Sequence, residues 1–295
     1  MGSGQEHDMD LTIAGGIALN DGYRIPRFGF GTFKLALGGE AEQTVAFAIQ
    51  DGYRLIDCAR FYGNEAAVGI GIANGGIPRD QLFVTSKVWN DRLIDGTVRE
   101  SIEESLRDLQ LGYLDLMLIH WPVEDKFIPA WKVLEQARDE GLVRSIGIAN
   151  CRVSHLQQLM ASSNTPPAVN QLEFHPYLQD NQTLAFCGEH GIVFEAWSPL
   201  GRGRCLEDPV IVELAKAHEA TAGQIVLAWQ RSKGIVAIPR SRNATRVHKN
   251  ALDLKSPLTA AEIAAIDALD RQDPVSPNST PETFAEHLNQ RSSHF

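Results

Sequence analysis

A metal or disulfide framework has little to build on in this chain. The cysteines are Cys58, Cys151, Cys187 and Cys205; none forms a C-x-x-C pair and none sits at zinc-ligand spacing. Reduced thiols in a cytosolic protein are the default reading. No apolar run approaches the roughly 18 residues of a membrane span. The N-terminus lacks a basic stretch followed by an apolar core, so no secretory signal is read there. Basic residues are outnumbered, 27 against 37, for a net charge of -10. Such a surface argues against general nucleic-acid binding and against an anionic membrane face. A G-x-G-x-x-G turn is also missing. The nearest stretches, "GFGTFK" (29–34) and "GIGIAN" (69–74), lack the third glycine, and the second falls inside a helical period. That disfavours a doubly wound dinucleotide domain.

What is present is strand–helix alternation. Of 295 residues, 43% are hydrophobic, enough to bury a large core. Aliphatic runs ending in turn residues predict strands at Phe28–Thr32, Arg54–Cys58, Leu82–Lys87, Leu114–His120, Val143–Asn150, Ala168–Glu173, Ile192–Trp197 and Ile235–Pro239. Helical periods fall between them, at Ala41–Gln50, Glu65–Ala73, Thr97–Leu109, Ile128–Glu140, Val153–Ser162, Asn181–His190, Pro209–His218, Ala222–Lys233 and Ala244–Leu252. Near-continuous apolar strands separated by helices imply a parallel sheet. Eight of them in about 250 residues fit an α/β fold of the (β/α)8 barrel type. Alternation around Asn20-Asp21-Gly22 predicts an N-terminal β-hairpin that caps the barrel floor. One more amphipathic helix is expected over 258–270. Residues 1–10 read as a disordered leader, 11–295 as one barrel domain, and the tail from Arg271 to Phe295 as a long C-terminal loop.

Barrel active sites lie at the C-terminal ends of the strands. Three successive predicted strands end in ionisable residues: "RLID" at Asp57, "LFVTSK" at Lys87 and "LDLMLIH" at His120. Tyr62 follows Asp57 by five residues, in a Gly/Asn turn. Taken singly, each has a plain structural role: Asp57 as a cap, Lys87 as a solvated strand end, His120 as a hydrogen-bonded ring, Tyr62 as packing. Taken together, they put an acid, an ammonium, an imidazole and a phenol at one barrel mouth. A phenol ionises near 10, too high for an efficient general acid at neutral pH. A neighbouring ammonium stabilises the phenolate. A buried carboxylate, Asp57, holds that ammonium. His120 can donate a hydrogen bond to a carbonyl oxygen. Carbonyl reduction needs this set, because hydride arrives at carbon as a proton arrives at oxygen.

The sequence resembles the aldo-keto reductase family. The matching motifs are "GFGTF" (29–33), "GYRLIDCARFYGNE" (52–65), "SKVW" (86–89), "LGYLDLMLIHWP" (111–122), "SIGIAN" (145–150), "VNQLEFHPY" (169–177), "AWSPLGRG" (196–203) and "IPRSRNATRVHKN" (238–250). Trp197 ahead of "SPLG" is similar to the bacterial branch that includes 2,5-diketo-D-gluconate reductases. The resemblance implies NADPH as cofactor and no metal. It gives Tyr62 the role of acid, Lys87 and Asp57 of tuners, and His120 of orienter. It implies that Asn150 and Gln171 bond the nicotinamide carboxamide and that the ring stacks on Trp197. It implies that Thr32 and the adjacent Gly31 let the backbone approach the nicotinamide ribose, and that Asp57 is among the cofactor-binding residues. Ser198, Leu200 and Gly203 fall in the loop that wraps the pyrophosphate. Arg240, Ser241 and Arg246 are implied as contacts of a 2′-phosphate, with Arg242 beside them and Asn250 at the adenine. The cationic run "RSRNATRVHK" (240–249) supports this independently, since guanidinium forks match phosphate geometry. Ala149 stands where the family commonly has Ser. Phe33 replaces a usual Trp, and with Trp89, Trp121 and His120 it is expected to form the substrate pocket.

The expected protein is a cytoplasmic, NADPH-dependent reductase of small carbonyl compounds, among them sugar-derived dicarbonyls, and acts as a monomer. Two alternatives stay open at this level. One is a barrel enzyme that uses Lys87 as a Schiff base. The other is a non-catalytic barrel that binds NADPH as a redox sensor.

Overall fold

The phase of the apolar residues along each strand decides this architecture. The computed structural model describes residues 10–276. The expected leader, but for Asp10, and the tail beyond residue 276 lie outside the described residues. A hairpin of β1 (Ile17–Ala18) and β2 (Arg24–Ile25) comes first, with Ile17 opposite Ile25. Eight parallel strands follow: β3 (Phe30–Gly31), β4 (Leu55–Asp57), β5 (Phe83–Val88), β6 (Leu114–Ile119), β7 (Val143–Ala149), β8 (Val169–Glu173), β9 (Val193–Trp197) and β10 (Val236–Ala237). Each pairs with its neighbour in chain order. The ring closes where Phe28 bridges Ala237, with Gly29 N–H donating to Ala237 O at 2.9 Å and Gly31 N–H to Pro239 O at 3.0 Å.

The described α-helices are α1 (Glu40–Gln50), α2 (Glu65–Asn74), α3 (Asn90–Asp95), α4 (Val98–Leu109), α5 (Phe127–Asp139), α6 (Val153–Ser162), α7 (Asn181–Glu189), α8 (Pro209–Ala217), α9 (Ala222–Ser232), α10 (Ala244–Asn250) and α11 (Ala260–Asp267). The expected (β/α)8 barrel, with its N-terminal hairpin, is the observed fold. Bounds differ from expectation by one or two residues at most ends, as fraying termini do. Helix α3 was not foreseen; its six residues carry too short an apolar period to register.

Two apolar clusters follow from the two-residue period of a strand. Leu55, Phe83, Leu116, Leu118, Val169, Val193 and Val236 share one cluster with Leu19 and Ile25 of the hairpin region. This is the barrel interior, floored by the hairpin. Ile56, Val84, Met117, Ile119, Ile146 and Ile148 alternate with them and pack under the helices with Trp131 and Trp229. Continuing the inward phase along the chain reaches Asp57, Lys87, His120, Gln171 and Glu195. The strand period therefore aims these polar side chains at one axis.

Glycine in α2 is a packing requirement. A Cβ on Gly69 would lie 2.5 Å from the carbonyl oxygen of Leu109 at the end of α4. Gly→Ala in a helix interior ordinarily stabilises by about 0.5–1 kcal/mol. Gly69→Ala should do the reverse, because backbone cannot yield as a side chain can; a loss of about 1–3 kcal/mol is expected in urea unfolding. A variant as stable as the parent would contradict this packing account.

Candidate active site

Lys87 is wholly buried, with its ammonium at the centre of the barrel mouth. It donates to Asp57 Oδ1 and Oδ2, each at 2.7 Å, and to Cys58 O at 2.9 Å. Tyr62 Oη lies 3.3 Å from the same nitrogen. Burial alone would make the ammonium easier to deprotonate; the Asp57 carboxylate, with Tyr62 and Glu195, more than offsets this, and the net pKa shift is upward. Asp57 closes β4 and is itself 2% exposed. Its Oδ2 also accepts from Gln171 Nε2 at 2.9 Å.

Tyr62 sits in a single 3-10 turn, Arg60–Tyr62, directly after β4. Arg60 pins that turn to the helices behind it. Its guanidinium meets Glu65 at 3.2 Å, Glu104 at 3.1 Å and Asp108. Asn64 anchors the far side, donating to the carbonyls of Thr32 at 3.0 Å and Leu35 at 3.2 Å. Burial pushes the Tyr62 phenol up to about 12, against the downward pull of Lys87. The expected influence of the ammonium is thus present but outweighed. The phenol stays protonated throughout the neutral range.

His120 continues the inward phase of β6 and is 8% exposed. Burial, with Lys87 nearby, holds its pKa well below the usual range, so the ring is neutral. Trp89 and Tyr62 meet it edge-on, at 4.8 and 6.0 Å between centroids. Its Nδ1 is buried without a hydrogen-bond partner. Asn150, in the left-handed region at φ 59°, donates to His120 O at 2.9 Å and accepts from Trp197 Nε1 at 2.9 Å. These groups open on one cavity of about 980 Å³. Phe61, stacked on Trp89 at 3.8 Å, adds to its apolar wall together with Phe33 and Trp121.

A family model described as the Aldo/keto reductase family matches residues 27–271. The chain belongs to the aldo/keto reductase family. It is 41% identical over 270 residues to the glyoxal reductase of Bacillus subtilis (strain 168), covering 92% of this chain and 98% of that protein. It is 37% identical over 278 residues to the methylglyoxal reductase DkgA of Yersinia pestis, covering 93% and 99%. A Bombyx mori aldo-keto reductase solved in complex with NADP superposes with a TM-score of 0.84 at 34% identity, covering 90% of this chain and 97% of that one. As a member of this family the protein is an oxidoreductase.

The rest of the cavity fits the family's cofactor. Trp197 and Asn150 line one end, and Arg202, Arg240, Arg242, Arg246 and Lys249 line the other. Burial and the nearby Arg242 and Arg202 charges make the Arg240 guanidinium harder to keep protonated, a repulsion that an anion would relieve. Arg246 Nε reaches Ser241 Oγ at 3.3 Å. Between the ends, Ser198, Leu200 and Gly203 line the wall. Gly203 takes φ 92°, a conformation that favours glycine. Cations joined by the 198–203 loop to an aromatic face suit a phosphorylated dinucleotide. The residues that would hold it are Asn150, Gln171 and Trp197 at the nicotinamide end, the 198–203 loop in the middle, and Arg240, Ser241, Arg246 and Asn250 at the far end.

Two details differ from the sequence picture, and a third concerns the source of the positive field. Thr32 is fully buried, its hydroxyl 3.0 Å from Asp57 O, and is not on the cavity wall, whereas Gly31 is. Arg242 is already engaged, with Glu40 at 3.1 Å and Lys34 O at 2.7 Å, so it ties the basic loop to the segment after β3. Helix α10 has only seven residues, and Asn243 Oδ1 already accepts from Arg246 N–H at 3.0 Å. The cations, rather than a helix dipole, supply the positive field. Sequence reasoning passed over Phe61, Arg202, Gly223 and the buried Glu195. Arg202 was visible as a basic residue between the two glycines of "GRG". Glu195 was visible as the one acid inside the apolar run "IVFEAW".

Removing one member of a buried ion pair leaves the other uncompensated. Lys87→Met should therefore destabilise the fold by about 3–5 kcal/mol in urea unfolding. Adding Asp57→Asn should recover part of that loss. Strictly additive losses would show that the two groups are not coupled.

Proposed function

We propose that this protein reduces small aldehydes and ketones, 1,2-dicarbonyls among them, using NADPH, with Tyr62 as the proton donor. The observation that carries this reading is the hydrogen-bond distance of 3.3 Å between Tyr62 Oη and the ammonium of Lys87, itself locked on Asp57. Bound NADPH supplies the hydride. The residues of the chain do the rest. The substrate carbonyl lies between Tyr62 and His120, with its apolar part against Phe33, Phe61, Trp89 and Trp121. The neutral His120 ring donates an N–H to the carbonyl oxygen and orients it. Tyr62 Oη gives its proton to that oxygen as the carbon is reduced. The phenolate left behind is stabilised by Lys87, which keeps its charge through Asp57. The phenol is protonated at neutral pH, so the proton is in place, and the pull of Lys87 limits how far burial weakens it as an acid.

The dicarbonyl reading draws on relatives named glyoxal reductase and methylglyoxal reductase. A Schiff base at Lys87 is disfavoured by geometry. Its nitrogen directs bonds to Asp57 and Cys58 O and is held as an ammonium, with no lone pair to attack a carbonyl.

NADPH oxidation in the presence of methylglyoxal should be readily measured with the parent protein. Tyr62→Phe should lower that turnover by roughly 10²–10⁴, the range for a lost general acid. NADPH binding should change little. Wild-type turnover in the Phe variant would remove Tyr62 from the chemistry.

Cofactor choice is tested at the other end of the cavity. Arg246→Ala should weaken NADPH roughly 10- to 100-fold, as loss of a charge-assisted phosphate contact does, and leave NADH nearly unchanged. The gap between the two cofactors should narrow as salt screens the charges. Equal dissociation constants for NADPH and NADH in the parent protein at low salt would defeat the 2′-phosphate assignment.

A further inference from the structure

Gln171 directs both N–H bonds of one amide nitrogen at carboxyl groups. Nε2 lies 2.9 Å from Asp57 Oδ2 and 2.6 Å from Glu195 Oε2. The two acceptors come from different directions. Glu195 is the register partner of Gln171 on the adjacent strand β9, whereas Asp57 belongs to β4. The two N–H bonds of a primary amide lie in the amide plane and diverge. One acceptor leaves the amide free to turn about that bond; two fix both its plane and its sense. The Gln171 carbonyl oxygen then points away from both carboxyls, and Gln171 lines the cavity beside Asn150.

Among the described residues Glu195 bonds only Gln171, and beyond that bond it adds to the field that keeps Lys87 charged. It is 0% exposed, its Oε2 meets Gln171, and its Oε1 is buried without a hydrogen-bond partner. A buried acid with one oxygen unpaired costs stability, so its presence there calls for a role. We propose that Glu195 is a positioning residue for the cofactor, fixing the Gln171 amide so that its carbonyl oxygen is presented to the nicotinamide carboxamide. This rests on the reading that the nicotinamide lies against Asn150 and Gln171. Glu195 acts through Gln171 and touches neither cofactor nor substrate.

The charge of Glu195 adds a second consequence. Burial raises its pKa to about 8, with Asp57 pushing the same way and Lys87 pulling it down. Those two, from β4 and β5, are the charged groups that bear on it. Tyr62, at about 12, and His120, well below its usual range, do not titrate near 8. Below 8 Glu195 is neutral; above 8 it is an anion beneath the nicotinamide site. An anion there favours the cationic ring of NADP⁺ over the neutral ring of NADPH. The ratio Kd(NADPH)/Kd(NADP⁺) should therefore rise with pH through about 8, by roughly three- to tenfold. Ionisation of the 2′-phosphate is common to both forms and cancels in the ratio.

The test is a set of binding titrations on the full chain with NADPH, NADP⁺ and adenosine 2′,5′-bisphosphate, which lacks the nicotinamide. Glu195→Met removes the acceptor at similar volume and should weaken NADPH roughly tenfold. Glu195→Gln keeps an acceptor and should bind NADPH like the parent, while its Kd ratio should be flat with pH. The bisphosphate should bind all three proteins alike. Combining Glu195→Met with Gln171→Met should be no worse than Gln171→Met alone. Parent-like NADPH binding by Glu195→Met, or equal weakening of both ligands, would overturn the proposal. If Glu195→Met fails to fold, the pH comparison with Glu195→Gln decides; a ratio that responds to pH alike in both proteins overturns it. If Gln171→Met alone leaves NADPH binding unchanged, what fails is the placement of the nicotinamide at Gln171.

Discussion

A buried ammonium must have a buried carboxylate, and most of this site is arranged around that requirement. Lys87 is 0% exposed and cannot shed its charge into water. Asp57 meets it with both oxygens at 2.7 Å, and Cys58 adds a carbonyl. The two side chains reach each other because β4 and β5 are adjacent and in register, Asp57 beside Thr85, with Lys87 one inward step beyond. Asp57 in turn bonds Gln171, and Gln171 bonds Glu195. One ion pair thus ties together four strands of the barrel. Tyr62 joins from outside the sheet, on a turn that Arg60 and Asn64 hold in place from opposite sides.

The cavity above that pair has a clear polarity. At the barrel axis the groups facing it are a protonated phenol, an uncharged imidazole, two amides and the Asp57 carboxylate, whose charge is matched by Lys87. At the rim, after β10, the charge is cationic, within a chain whose net charge is -10. Such a gradient would sort the two parts of a dinucleotide, with phosphates drawn to the rim and the nicotinamide left at the axis beside Trp197. Arg242 has a second part in this arrangement. Its ion pair with Glu40 and its bond to Lys34 O link the basic loop to the segment after β3, at the mouth of the cavity.

Much of this was legible in the sequence because strands have a period of two. Once "RLID", "LFVTSK" and "LDLMLIH" are aligned by their apolar phase, Asp57, Lys87 and His120 must face the same way. Barrel topology then brings them to one end. The hairpin was legible from Asn20-Asp21-Gly22 between alternating residues. What stayed hidden depends on contacts across the barrel. Glu195 lies in the same inward phase as Val193 and Trp197, yet nothing local says that an acid there meets Gln171. The glycines of "GIGIAN" failed as a dinucleotide turn and had no assigned role until α4 was seen to press its Leu109 carbonyl against Gly69. The direction of the Tyr62 shift was also missed. An ammonium lowers a phenol pKa in any sequence-level argument, but burial of the same phenol raises it, and only the folded chain fixes which is larger.

Everything in the proposed chemistry depends on Lys87, held by Asp57, stabilising the phenolate of Tyr62. The direct measurement is the pH at which the Tyr62 phenol ionises with NADP⁺ bound, read by NMR of ζ-¹³C tyrosine. The chain has five tyrosines, and Tyr62→Phe assigns the resonance. The resonance should titrate at distinctly higher pH in Lys87→Met combined with Asp57→Asn than in the parent protein. Titration at the same pH in both proteins would contradict it.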